Sequence, residues 1–156
     1  MTTQKTENTH TENSVFVTKS AEETLEVGKA IANLLKDGDT IFLLGDLGSG
    51  KTTLMKGLIE ELTGTTQAEI ISPTFTYLHT YTGEKTIHHF DLYRLSSPKD
   101  FINAGFLDFL STDEICCIEW PDRVPSEVKE TLRIEIDYLS EQTRKITLYQ
   151  RHANAT

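Results

Sequence analysis

No stretch of eighteen or so consecutive apolar residues occurs in this 156-residue chain, and its polar N-terminus lacks the apolar core of a signal peptide. Neither a membrane-spanning helix nor a secretory leader is therefore expected. Cysteine is scarce: only Cys116 and Cys117 are present, side by side in an apolar run. Neighbours in a strand point to opposite faces, so a disulfide between them would be strained. Buried free thiols in a reducing cytoplasm are the expectation, and no base partner marks either as a catalytic thiol. Basic residues are also short, with 15 Lys and Arg against 24 Asp and Glu and a formal net charge of -9. Such a surface repels phosphate backbones, which argues against strong autonomous binding of DNA or RNA, although local basic patches stay open. The length suits one domain with a real core, and neither an internal repeat nor a second domain is visible.

What the chain does have is Gly45-Asp46-Leu47-Gly48-Ser49-Gly50-Lys51-Thr52, which fits the phosphate-loop pattern G-x-x-x-x-G-K-[ST]. The pattern alone is moderately specific, and its flanks support it. The apolar run Thr40 to Leu44 reads as a buried parallel strand, and Leu54, Met55, Leu58, Ile59 and Leu62 repeat at helical spacing after it. Glycines let such a loop turn its N–H groups around phosphate oxygens, and the following helix offers unpaired N–H groups and the positive end of its dipole. Lys51 is placed to reach the terminal phosphates and the Thr52 hydroxyl to ligand magnesium, with Thr53 in the same turn. No Asn-Lys-x-Asp segment of the guanine-specific kind is present, so ATP is the expected nucleotide and Mg2+ its ion.

Around this loop the chain reads as an α/β phosphate-loop domain over residues 15–150, between a disordered leader (1–14) and a flexible tail (151–156). Val15 to Val17 looks like a strand, and Ser20 to Glu23 resembles a capping box opening a helix with Val27, Ala30, Ile31 and Leu34 on one face. Alternating aromatic and β-branched residues from Phe75 through Tyr77 to Tyr81 predict a strand, returning over Lys85 to Phe90 as a hairpin. A helix start at Ser97-Pro98, an interruption at Gly105, a buried strand over Ile115 to Ile118, and strands over Leu132 to Tyr138 and Lys145 to Tyr149 complete the pattern. The sheet is thus expected to be mixed and mostly parallel, with antiparallel additions and flanking helices.

Fast hydrolysis also needs a carboxylate that organises metal or water. Glu119 ends the apolar run Ile115 to Ile118, and Asp91 ends Ile87 to Phe90; either could face the phosphates from a strand's carboxyl end. Ser72-Pro73-Thr74 could act as a switch segment placing a hydroxyl near the terminal phosphate. Trp120, the only tryptophan, could stack on adenine, line the pocket or pack in the core. Arg94 and Arg123 are candidate cations that fit structural ion pairs better, and the adjacent His88 and His89 point opposite ways and are no metal pair. Asp46 should point outward, away from phosphate.

The loop, Ser72-Pro73-Thr74-Phe75-Thr76, His89-Phe90-Asp91-Leu92-Tyr93-Arg94-Leu95 and Ile118-Glu119-Trp120-Pro121 together resemble the TsaE family, formerly YjeE, in family order. That resemblance implies a single-domain phosphate-loop ATPase of tRNA threonylcarbamoyladenosine biosynthesis. It implies nucleotide contacts from Gly45, Asp46, Leu47, Gly48, Ser49, Gly50, Lys51, Thr52, Thr53 and Trp120, a metal shell of Thr52 and Glu119, and catalytic roles for Glu119, Asp91 and Thr74. It implies the proteins TsaD and TsaB as partners, which modify the adenosine beside the anticodon, so that tRNA is met through the complex and ATP hydrolysis resets it. A small-molecule kinase, lacking a clear lid, and a non-catalytic nucleotide-sensing module are the other classes the loop allows.

Overall fold

The computed structural model describes residues 10–151. Thirteen segments follow one another: β1 (His10–Thr18), α1 (Ala21–Ala32), β2 (Thr40–Leu44), α2 (Lys51–Thr63), a 3-10 turn (Gln67–Glu69), β3 (Leu78–Tyr81), β4 (Ile87–Asp91), α3 (Pro98–Asn103), α4 (Leu107–Leu110), β5 (Ile115–Glu119), a second 3-10 turn (Pro121–Arg123), β6 (Leu132–Tyr138) and β7 (Arg144–Arg151). The strands form one seven-stranded sheet in the order β1-β7-β6-β2-β5-β4-β3. Its centre is parallel, with β2 between β6 and β5 and β4 beside β5, whereas β7, β1 and β3 pair antiparallel at the flanks. The expected mixed α/β sheet is therefore observed.

Strand periodicity divides the core into two layers. On β5, Ile115 and Cys117 point toward α1 and α2 and join Ile31, Leu54, Met55, Leu58 and Ile134, while Cys116 and Ile118 point to the other face and join Phe90, Phe101 and Val124. Every side chain of β4 and β5 is buried, the property of strands covered on both faces. Both thiols are free and buried. Burial, reinforced by the charge of Glu114, pushes Cys116 up to about 12, and burial pushes Cys117 higher than an ordinary thiol, so neither is a nucleophile at neutral pH.

Local chemistry sets the helix ends. Ser20 Oγ accepts from Glu23 N–H at 3.1 Å and caps α1, while Glu23 Oε1 reaches one residue further back and accepts from Lys19 N–H at 2.7 Å. Gly64, at φ 78°, ends α2 in a left-handed conformation that an L side chain rarely adopts. The two long helices touch backbone to backbone: a Cβ on Gly57 would lie 2.1 Å from the Leu25 carbonyl oxygen, and one on Gly28 would lie 2.2 Å from that of Leu54.

Four boundaries differ from the sequence expectations. β1 takes in residues 10–14, which composition assigned to a leader, because they gain partners on β7 from Leu148 to Arg151. Residues 1–9 of that leader and 152–156 of the tail lie outside the described residues, and Arg151 belongs to β7. Leu34, placed on the buried face of α1, is 61% exposed because the helix stops at Ala32. Phe75 and Tyr77 are not in a strand: Thr76 and Tyr77 N–H both close a turn onto the Pro73 carbonyl, so β3 begins only at Leu78.

Gly57→Ala should destabilise the fold by roughly 1–3 kcal/mol through overpacking against an immobile carbonyl. The midpoint of urea unfolding measures it, and an unchanged midpoint would contradict so close a helix contact.

Candidate active site

The parallel register puts two acids side by side where the central strands end. Leu43, two residues before the glycine-rich loop, is level with Glu119 on β5, which is level with Asp91 on β4. By the period of two, Asp91 and His89 share the face of β4 that looks toward α2, as Glu119 does on β5. Ligands of open α/β sheets sit beyond such carboxyl ends.

The loop leaves β2 with the Asp46 carbonyl accepting from Ser49 N–H at 3.0 Å, and turns through Gly48 at φ 81° and Gly50 at φ 108°. Its first glycine is packed tightly, since a Cβ on Gly45 would lie 2.8 Å from the Ile136 carbonyl oxygen. The first intrahelical bond runs from Leu54 N–H to the Gly50 carbonyl. The N–H groups of Gly50, Lys51, Thr52 and Thr53 thus have no acceptor within the described residues. Four donors and a helix dipole converge with no protein group to receive them.

Lys51 folds back beneath the loop. Its ammonium donates to the Gly45 carbonyl at 2.6 Å, lies 3.8 Å from Glu119 Oε1, and sits 4.6 Å from the Trp120 ring centroid. Lys51 is 7% exposed and Glu119 4%. A buried carboxylate needs partners, and the second is His89, whose Nε2 lies 2.7 Å from Glu119 Oε2. A carboxylate oxygen accepts, so Nε2 is the donor in this contact, and Nδ1 is buried without a partner. Glu119 therefore has one oxygen held by His89 and the other turned toward Lys51.

Asp91 sits in a different setting. Thr74 Oγ1 donates to Asp91 Oδ2 at 2.8 Å, and Tyr93 N–H donates to Oδ1 at 3.0 Å. Ser72 Oγ also donates to Asp91 Oδ2, at 3.3 Å, and lies 2.8 Å from Thr74 Oγ1, so both hydroxyls of the segment gather on one carboxylate oxygen. The segment that sequence marked as a switch is thereby tied to Asp91. Tyr81, whose hydroxyl meets the Ile71 backbone at 3.3 Å, holds its start, and burial raises that phenol above its ordinary value. Among the described residues, the two non-glycine residues in left-handed conformations, Tyr77 at φ 69° and Trp120 at φ 59°, both adjoin these acids. Tyr77 accepts the Asp91 N–H and Trp120 directly follows Glu119. Each costs on the order of 1–3 kcal/mol, a strain found where surroundings over-determine the backbone.

Thr52 is exposed in the first turn of α2, and Thr53 is half-buried beside it. Among the described residues no three His, Cys, Asp or Glu side chains converge, so a metal here would take its remaining ligands from a hydroxyl, phosphate oxygens and water. That donor set fits magnesium, which keeps several waters, and does not fit zinc. Trp120 packs against Tyr93 with ring centroids 5.0 Å apart and planes tilted by 50°, while its face meets Lys51. Arg123 is tied to the Leu95 carbonyl and Asp122, whereas Arg94 lies over the exposed Phe75 ring at 4.7 Å instead of forming an ion pair. His88 faces away, between Thr80 and Glu114.

A cleft of about 680 Å3 opens on the other face of the sheet, where Arg133, Glu135 and Asp137 of β6 alternate with buried Leu132, Ile134 and Ile136. Gly45, Asp46, Ser49, Lys51 and Trp120 reach its rim, but Glu119 and Asp91 do not. Asp46, Asp122, Glu130, Glu135 and Asp137 outnumber its two cations, Arg133 and Lys51, and the cation that faces the loop is Lys51. The exposed, outward Asp46 borders this cleft.

A family model described as "Threonylcarbamoyl adenosine biosynthesis protein TsaE" matches residues 18–146. The chain belongs to the TsaE family. It is 41% identical over 133 residues to the tRNA threonylcarbamoyladenosine biosynthesis protein TsaE of Treponema pallidum, covering 85% of this chain and 97% of that one. The Bacillus subtilis protein of the same description is 35% identical over 132 residues, covering 83% and 81%. The crystal structure of Bacillus subtilis YdiB superposes with a TM-score of 0.69 at 30% identity, covering 92% of this chain and 89% of that one.

Two residues that the structure brings to the candidate site have no role in the sequence reading. His89 was set aside with His88, although its place two residues before Asp91 on one strand already put both on one face. Arg144, described below, carries no local signal, because its contact with Ser49 spans 95 positions.

His89→Leu leaves Glu119 short of a donor and should lower folding stability by about 1–3 kcal/mol, whereas His89→Gln, whose amide can donate, should recover part of it. Equal stability of His89→Leu and wild type in chemical denaturation would show that this bond does not hold the carboxylate.

Proposed function

We propose that the protein is a magnesium-dependent phosphate-loop ATPase serving tRNA threonylcarbamoyladenosine formation together with TsaD and TsaB. The observation that carries the reading is the meeting of Lys51 and Glu119, 3.8 Å apart and buried, beneath a glycine-rich loop whose four N–H groups lack acceptors. Two charges so enclosed are costly unless a ligand or each other compensates them. A triphosphate supplies acceptors for the donors and a countercharge for Lys51.

In this reading the N–H groups of Gly50 to Thr53 receive phosphate oxygens, and Lys51 turns from the Gly45 carbonyl to the terminal phosphates. Magnesium, bound through Thr52 and the shell of Glu119, would neutralise charge on the phosphates. Glu119 orients water with the oxygen that His89 leaves free. Asp91 supports the Ser72–Thr74 segment, which links the phosphate end of the site to the exposed Ile71 and Phe75. A partner that moves this segment would alter Asp91, which gives a physical route to low activity alone and higher activity in complex. The cytoplasm suits two free buried thiols, and among the described residues no helix is long and apolar enough to cross a membrane.

Glu119→Ala should retain ATP binding but lower phosphate release, measured with the TsaD–TsaB pair present, by about 10²–10⁴-fold. Lys51→Ala should weaken ATP binding at least tenfold. Turnover retained in the first variant removes Glu119 from the reaction, and unchanged affinity in the second contradicts the loop assignment.

A further inference from the structure

A loop that receives an anion on its N–H groups must turn its carbonyls outward, where something else has to accept or satisfy them. In a planar trans peptide the C=O of one residue and the N–H of the next point in opposite directions, so fixing one fixes the other. The Ser49–Gly50 peptide is such a unit, and no peptide among the described residues is cis. Ser49 C=O accepts from Arg144 Nε–H at 2.7 Å. The Gly50 N–H, on the opposite edge, is among the four donors that lack an acceptor.

Arg144 is itself held from behind. Its Nη1 lies 2.7 Å from the Ser140 carbonyl, 3.2 Å from that of Glu141 and 3.1 Å from that of Thr143, all in the turn joining β6 to β7. Its guanidinium lies 4.6 Å from the Tyr138 ring centroid. It also packs against the loop from below, since a Cβ on Gly50 would stand 3.4 Å from Arg144 Nε. One planar fork thus joins the hairpin turn to the loop, a geometry that a lysine's point charge cannot copy. Gly50 at φ 108° has no side chain to bias its own peptide, so the external bond decides its orientation.

We propose that Arg144 is the positioning residue of the phosphate loop: by holding the Ser49 carbonyl outward from the β6–β7 hairpin, it keeps the Gly50 N–H aimed at a bound phosphate. This rests on the ATP reading of the loop and adds a residue outside the loop motif on which phosphate affinity depends. Arg144 touches no phosphate in this role; it acts through one peptide plane.

The test is ATP titration of the full chain with magnesium, with glycine amides followed by 15N NMR and free-protein melting measured in parallel. In the wild type the Gly50 amide should move downfield on ATP binding. Arg144→Met should melt within a few degrees of wild type, bind ATP at least tenfold more weakly, and lose most of the Gly50 shift. Arg144→Lys, which keeps charge and stem and guards against a variant that does not fold, should still bind at least fivefold more weakly. Wild-type affinity in Arg144→Lys would show that charge alone matters and would overturn the proposal, as would an unchanged Gly50 shift in either variant. Lys51→Ala separates the two levels. If it binds ATP as wild type does, the nucleotide reading itself fails; if it loses binding while both Arg144 variants keep it, only the positioning role fails.

Discussion

An anion site built from backbone rests on one constraint: donors face in, carbonyls face out, and both must be held that way before the ligand arrives. The chain meets it by placing the loop after the central strand β2, where both neighbours are parallel and fully hydrogen-bonded. β5 delivers Glu119 level with the loop's entrance and β6 supplies the Ile136 surface on which Gly45 is packed. The α1–α2 contact, made at glycines, fixes the helix whose first turn presents the free N–H groups. The loop is preorganised from three sides, and little of its conformation is left to the ligand.

Charge placement follows the same division of the sheet. On the α2 face, Lys51 and His89 bracket Glu119, so a buried carboxylate is compensated and its two oxygens are made unequal. On the other face the cleft of about 680 Å3 carries carboxylates from β6 and from the turn after β5. The unpaired N–H groups and Lys51 lie where the loop meets this cleft.

Much of this was legible in sequence where the signal is local. The phosphate-loop pattern, the buried helix positions Leu54 to Leu62, the alternation of β6 and the acids ending β4 and β5 all depend on spacing within a few residues. Legibility failed where tertiary contacts decide. Residues 10–14 look like a leader until β7 pairs with them, and Phe75 and Tyr77 look like strand until the Pro73 carbonyl takes two N–H groups. Arg144 could not be singled out because its importance lies in a register set by a hairpin and a loop far apart in the chain.

The most direct measurement is a crystal structure of the protein with magnesium and a non-hydrolysable ATP analogue. The account predicts phosphate oxygens on the N–H groups of Gly50 to Thr53 and on the Lys51 ammonium, with the Ser49 carbonyl still on Arg144 and Glu119 facing the metal. Phosphates bound away from these N–H groups, or a Ser49–Gly50 peptide turned the other way, would contradict it.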